Sequence, residues 1–146
     1  MRHTAEKLAS HRNDTRAGHI NHAWNICQAL IKKLEFRTAL LDAYRRNDCG
    51  ALNKLSKNGV PDVIEAINRL NDSFRAQWFR SYKSYGLEVM QIKLAGLCER
   101  YQETGRRIDE YLAGQTSSIP ELELQPETKG LEELRYRMIA TGGWFI

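Results

Sequence analysis

The stretch PDVIEAINRLNDSFRAQWFRSYKSYGLEVMQIKLAGLCERYQETGRRIDEYLAG, residues 61–114, decides the fold. In its first half Val63, Ile64, Ile67, Leu70, Phe74, Trp78 and Tyr82 recur at helical steps, which predicts one buried side of an α-helix. Met90, Leu94, Leu97, Tyr101, Ile108 and Leu112 repeat the pattern in the second half, with Thr104 or Gly105 where the stripe needs one more member. Between the halves stands Ser84-Tyr85-Gly86, where Gly86 can take positive φ and turn the chain. The expectation is an antiparallel helical hairpin, since one unbroken helix would far exceed the usual length of about 10–14 residues.

Upstream, Ile20, Trp24, Cys27, Ile31, Leu34 and Leu41 form a second long stripe, with Thr38 filling its gap and Leu30 and Leu40 widening it. This predicts an amphipathic helix from Ala17 to about Arg46, the stripe being its core face. Asp48 is placed to cap a short helix over GALNKLSKN, residues 50–58, and Gly59 to end it. Pro61 and Asp62 then mark the start of the next helix, proline because its missing N–H costs nothing in a first turn and aspartate because its charge suits the helix dipole. At the far end Gly114 is the expected terminator.

Three long stripes with short connections predict an all-α fold, an antiparallel bundle of three long helices plus one short helix with an irregular C-terminal tail. The expected divisions are a flexible lead-in over 1–16, frayed or a short helix, the helical bundle over 17–114, and a mostly irregular segment over 115–146 that packs back on the bundle. Pro126 and Gly130 argue against regular structure in that segment. LEELRYRMIATGGWFI, residues 131–146, reads as one helical turn followed by an extended end too apolar to be left in water.

The chain has 146 residues, a hydrophobic fraction of 42%, a charged fraction of 27% and a net charge of +4. The basic residues come as scattered pairs among acidic ones, which argues against a nucleic-acid-binding face. Cys27, Cys49 and Cys98 are odd in number and far apart, with no zinc spacing, so a reducing, cytoplasmic setting is expected and Cys27 and Cys98 read as small core residues. No apolar run has the roughly 20 residues of a membrane span, and the N-terminus lacks an apolar signal core.

Chemistry is sparse. His19 and His22 lie three apart on a helix start but have no third ligand at a matching step, so no metal or cofactor is expected and a polar helix start is the plainer reading. Dinucleotide, P-loop and nucleophile-elbow motifs do not occur. Asp109-Glu110 is the one tempting acidic pair, yet helical neighbours point about 100° apart, which predicts a solvated face paired with Arg106 and Arg107 rather than a catalytic dyad. No catalytic residue is assigned. The aromatic run Trp78, Phe79, Tyr82 and Tyr85 remains as the candidate docking or ligand edge; Phe79 and Tyr85 lie off the buried line.

FRAQWFRSYKSYGLEVMQIKLAGLCERYQETGRRIDEYLAGQTSSIPELE, residues 74–123, resembles the C-terminal helical domain of bacterial β-N-acetylhexosaminidases of glycoside hydrolase family 20. The core of the likeness is QWFRSYKSYGLEVMQIKLAGL, and LDAYRRNDCGALNKL and RYRMIAT are similar to flanking parts of the family. Ser84 stands where relatives carry Pro, which softens the break, and Ala95 where they carry Gly, which should tighten or shift a helix contact. The resemblance implies an enzyme that removes terminal N-acetylhexosamine with retention. In it the substrate's acetamido group is the nucleophile, a glutamate the acid/base, and an aspartate the orienting residue.

Those groups belong to a (β/α)₈ barrel, which takes about 250 residues and so does not fit within this chain. The implied role is a non-catalytic accessory domain that meets the catalytic barrel of its parent enzyme or a second subunit. The alternative is a free-standing interaction or oligomerisation module, in the simplest form a homodimer.

Overall fold

A computed structural model describes residues 1–11 and 17–123. The helices are α1 (Arg2–Ser10), α2 (Ala17–Arg45), α3 (Cys49–Lys54), α4 (Val60–Ser81), α5 (Leu87–Leu112) and the single turn α6 (Pro120–Glu123), with a π turn (Leu55–Gly59) joining α3 to α4. Among the described residues there is no strand. The all-α reading holds, and α2, α4 and α5 are the three long helices expected. For the first residues, the helix α1 is the alternative that forms; Arg2 pairs with Glu35 of α2, and Ala5 is buried.

The helix ends follow the local chemistry. Asn47 takes a left-handed φ of 51°, and the Asp48 N–H reaches back to the Ala43 carbonyl at 2.9 Å, closing α2. The Asp48 carboxylate then accepts the Ala51 N–H at 2.9 Å and opens α3, as the sequence predicts. Gly86 sits at φ 93°, its N–H donating to the Glu88 carboxylate at 2.9 Å, and starts α5. Gly114, at φ 71°, ends α5, the Gln115 N–H returning to the Glu110 carbonyl at 2.9 Å.

Gly59 does not end a helix. It is helical, with φ −64° and ψ −43°, so α3, the π turn and α4 run on as one rod. The reason lies on both sides of it. Pro61 in a regular α-helix would crowd the carbonyl four residues earlier, and a wider turn just before it relieves that contact. The missing Cβ of Gly59 is used for packing instead of for a turn: a Cβ there would stand 3.0 Å from the Phe36 ring.

The rod runs antiparallel to both α2 and α5. Phe36 meets Gly59 and His22 meets Ser73 along one seam; Ser56 meets Asp109 and Asn68 meets Cys98 along the other. The core gathers around Phe36, Leu40, Leu52, Val63, Ile67 and Ile108, with Ile119 closing it from the segment after α5. Tyr101 stands edge-on to Phe36 at 5.6 Å, and burial pushes its hydroxyl pKa up to about 12.

Three expected faces need correction. On α2 the core side is Asn25, Ala29, Phe36, Leu40 and Ala43, whereas Leu34 is 51% exposed and Thr38 is also exposed. The bulkier stripe read from the sequence turns away from the bundle, because periodicity finds an apolar line without saying what it faces. On α4 every buried residue (Val60, Val63, Ala66, Ile67) lies in the first half; Leu70, Phe74 and Trp78 are half-buried, and Tyr82 is extended and exposed. On α5 Ala95 is exposed, so its methyl tightens no helix contact. Cys27 and Cys98 are half-buried rather than fully in the core.

After α5 the chain is not wholly irregular, since Pro120–Glu123 forms one helical turn. The readings for residues 124–146, including the apolar end, lie outside the described residues.

Candidate functional site

The core lies at the end of the bundle remote from the α4–α5 connection, and that distribution shapes the connection. The last part of α4 has nothing fully buried, so its rings stack on one another. His22, Phe74, Trp78 and Tyr82 form a line, with centroid separations of 5.7, 5.6 and 4.9 Å. Such tilted contacts contribute about 0.5–1.5 kcal/mol each beyond simple burial.

The four residues singled out from the sequence occupy this end but divide into two roles. Trp78 faces inward: its indole N–H donates to the Lys83 carbonyl at 2.7 Å, and its ring lies where a Cβ on Gly86 would come within 3.4 Å. It pins the turn. Phe79, Tyr82 and Tyr85 face outward, with exposures of 46%, 65% and 90%. Tyr82 leans on Trp78, while the Arg75 guanidinium sits over the Phe79 ring at 5.1 Å.

Sequence reasoning missed two further exposed apolar residues. Val89 and Ile92, at 51% and 70% exposure, carry the apolar surface along the outer side of α5. The signal was present, since both stand off the Met90, Leu94, Leu97 line that faces the bundle.

The remaining polar candidates are engaged in holding helices together. The Asp109 carboxylate accepts from the Ser56 hydroxyl at 2.7 Å and from Lys57 at 2.8 Å, and these two contacts hold its pKa below the usual carboxylate value. It is therefore a cross-helix tie, not the solvated partner of Arg106 or Arg107 expected from spacing. Glu110 pairs with Arg107 at 3.6 Å, so the two neighbouring carboxylates serve different partners. His22 and Ser73 lie 3.0 Å apart, and His19 and Gln77 2.6 Å apart, on the α2–α4 seam. Among the described residues no group of three or more His, Cys, Asp or Glu could hold a metal, and no helix is long and apolar enough to cross a membrane.

An exposed aromatic edge therefore stands on a scaffold whose polar groups tie helices together. The family model of the glycoside hydrolase 20C C-terminal domain matches residues 2–134. The chain belongs to that family. The likeness, read in the sequence over most of the chain with the first 16 residues unplaced, thus covers nearly the whole chain, and this glycoside hydrolase 20C C-terminal domain takes in α1 as well as the long helices. No curated protein matches the chain.

Proposed function

We propose that this chain is the helical accessory domain of a β-N-acetylhexosaminidase, and that it binds the catalytic barrel of its parent enzyme without hydrolysing glycans itself. The observation that carries the reading is the family match over residues 2–134. The contact edge is Phe79, Tyr82 and Tyr85, pinned from behind by Trp78. Aromatic side chains of this kind are enriched at protein interfaces and supply large contact area at small entropic cost. The three unpaired thiols support a reducing, cytoplasmic setting.

The test is a pair of assays. The chain alone, given a chromogenic N-acetylglucosaminide, should show no turnover; robust turnover overturns the proposal. The barrel of the parent enzyme, prepared separately, should bind the chain in a titration, and alanine at Tyr82 and Tyr85 together should weaken that binding. Self-association of the chain through the same edge, with no affinity for the barrel, would point instead to a free-standing oligomerisation module.

A further inference from the structure

The aromatic edge carries positive charge that no carboxylate answers. Arg2, Lys32, Arg46, Lys57, Arg69 and Arg106 each have a carboxylate within 3.3 Å. From Ser73 to Leu87, by contrast, the sequence holds Arg75, Arg80 and Lys83 and no acid. Glu88, the next acid along, turns its carboxylate to the Gly86 N–H at 2.9 Å. Among the described residues no carboxylate pairs with any of these three cations.

The fold sets these charges among the rings. All three side chains are exposed. The Arg75 guanidinium lies over the Phe79 ring at 5.1 Å, a cation–π contact that holds a charge against an exposed aromatic face. Lys83 stands between Tyr82 and Tyr85 in the chain, and its carbonyl accepts the Trp78 indole N–H at 2.7 Å, so its side chain leaves from a pinned backbone. Arg80 flanks them on the side of α2, where a Cβ on Gly18 would fall within its guanidinium. The C-terminal end of α4 carries roughly half a negative charge, which offsets only part of three positive ones.

Exposed rings with a guanidinium among them have the composition of an interface centre. An unbalanced charge beside such a centre chooses the partner, because complementary groups steer the encounter and like charges repel it. The cations are spread around three rings, which suits a folded surface offering both apolar area and carboxylates. A phosphodiester backbone would call for a continuous basic stripe, and the paired cations of the remaining surface do not extend one.

We infer that the edge is built for an acidic partner face, with carboxylates against Arg75 and Lys83 around an apolar centre that takes Phe79, Tyr82 and Tyr85. This rests on the reading that the edge docks the catalytic barrel, and on that reading the acidic face is a patch of the barrel.

The test has two arms. In the first, the full chain is titrated with the separately prepared barrel. Raising NaCl from about 50 mM to about 500 mM should weaken binding by about tenfold, mainly through a slower association rate. Arg75→Glu with Lys83→Glu should weaken it by a similar factor at low salt. Arg45→Glu with Lys54→Glu, the same change of net charge at exposed positions on α2 and α3, should leave it nearly unchanged. In the second arm poly-L-glutamate is titrated into the chain alone, and its binding should be lost in the Arg75/Lys83 variant and kept in the Arg45/Lys54 variant. Circular dichroism checks that each variant is folded, and the salt series on the parent chain needs no variant.

Barrel binding that ignores both salt and the Arg75/Lys83 change would overturn the inference and leave the docking reading standing. Failure of the parent chain to bind the barrel would overturn the docking reading, and the polyglutamate arm would still decide the inference: no binding, or equal loss in the two variants, overturns it. Tighter binding of duplex DNA than of polyglutamate at the same ionic strength would overturn it in favour of a phosphate partner.

Discussion

The ring of Phe36 packs so closely on Gly59 that a Cβ at residue 59 would lie 3.0 Å from Phe36 Cδ2 and 3.1 Å from Leu55 Cδ2. Phe36 is 5% exposed and has Tyr101 edge-on, so it has little room to withdraw. Gly59→Ala should gain about 1 kcal/mol of helix propensity and lose about 1–3 kcal/mol to overpacking. The expected balance is a net loss of about 1 kcal/mol, read as a lower urea midpoint at unchanged m-value.

Gly96 is the contrasting case. It lies inside α5 and a Cβ there would meet nothing within 4 Å. Gly96→Ala should therefore stabilise the domain by about 0.5–1 kcal/mol, seen as a rise in the same midpoint.

Asp109 ties α5 to the π turn through Ser56 and Lys57, and its folded pKa lies below the ordinary 3.8. The stabilisation it provides is complete above that ordinary value and disappears as pH falls through the lower folded one. Its side chain is 44% exposed, so screening limits the effect. Asp109→Ala should cost about 1 kcal/mol at neutral pH, and the gap between variant and parent should close in acid, as urea titrations at pH 7 and below pH 3 would show.

His22 behaves in the same sense for a different reason. Burial, and then the charge of His19, lower its pKa from the ordinary 6.5. The unfolded chain then binds more protons over the interval beneath 6.5, so stability is full above that value and declines as pH drops toward the folded pKa. Melting temperatures measured from pH 8 to pH 5 should fall for the parent chain and fall less for His22→Asn.

Tyr85 is 90% exposed. Tyr85→Ala should leave the unfolding free energy within about 0.5 kcal/mol while weakening binding to the catalytic barrel. Chemical unfolding and calorimetric titration separate the two effects.

Much of this fold was legible because its signals are local. Asp48 as a cap, Gly86 and Gly114 as left-handed residues, and the span of α2 all follow from side chains acting within a few positions of themselves. The rotation of α2 was not legible, since Ile31, Leu34 and Leu41 make a clear apolar line of their own, yet the core face is Phe36 and Leu40 with the small residues Ala29 and Ala43. Close helix packing favours them there, and only the neighbouring helices reveal it. The site was half legible: the aromatic cluster was visible in residues 78–85, but Trp78 as an internal pin required the Lys83 carbonyl and Gly86 to be brought to it.

The π turn makes the domain sensitive to length at one point. A π turn amounts to an α-helix carrying one surplus residue, and here it lets Leu52, Ser56 and Val60 share a side across steps of four. Losing one residue there would restore an ordinary α-helical join with α4 close to its present orientation, whereas gaining one further residue between Leu55 and Gly59 would rotate the whole of α4 by about 100° relative to α3. Val63 and Ile67 would leave the core together, and the aromatic edge at the far end of the rod would turn with them. A one-residue insertion in this segment would thus re-aim the aromatic edge from some twenty residues away, without altering any side chain that forms it.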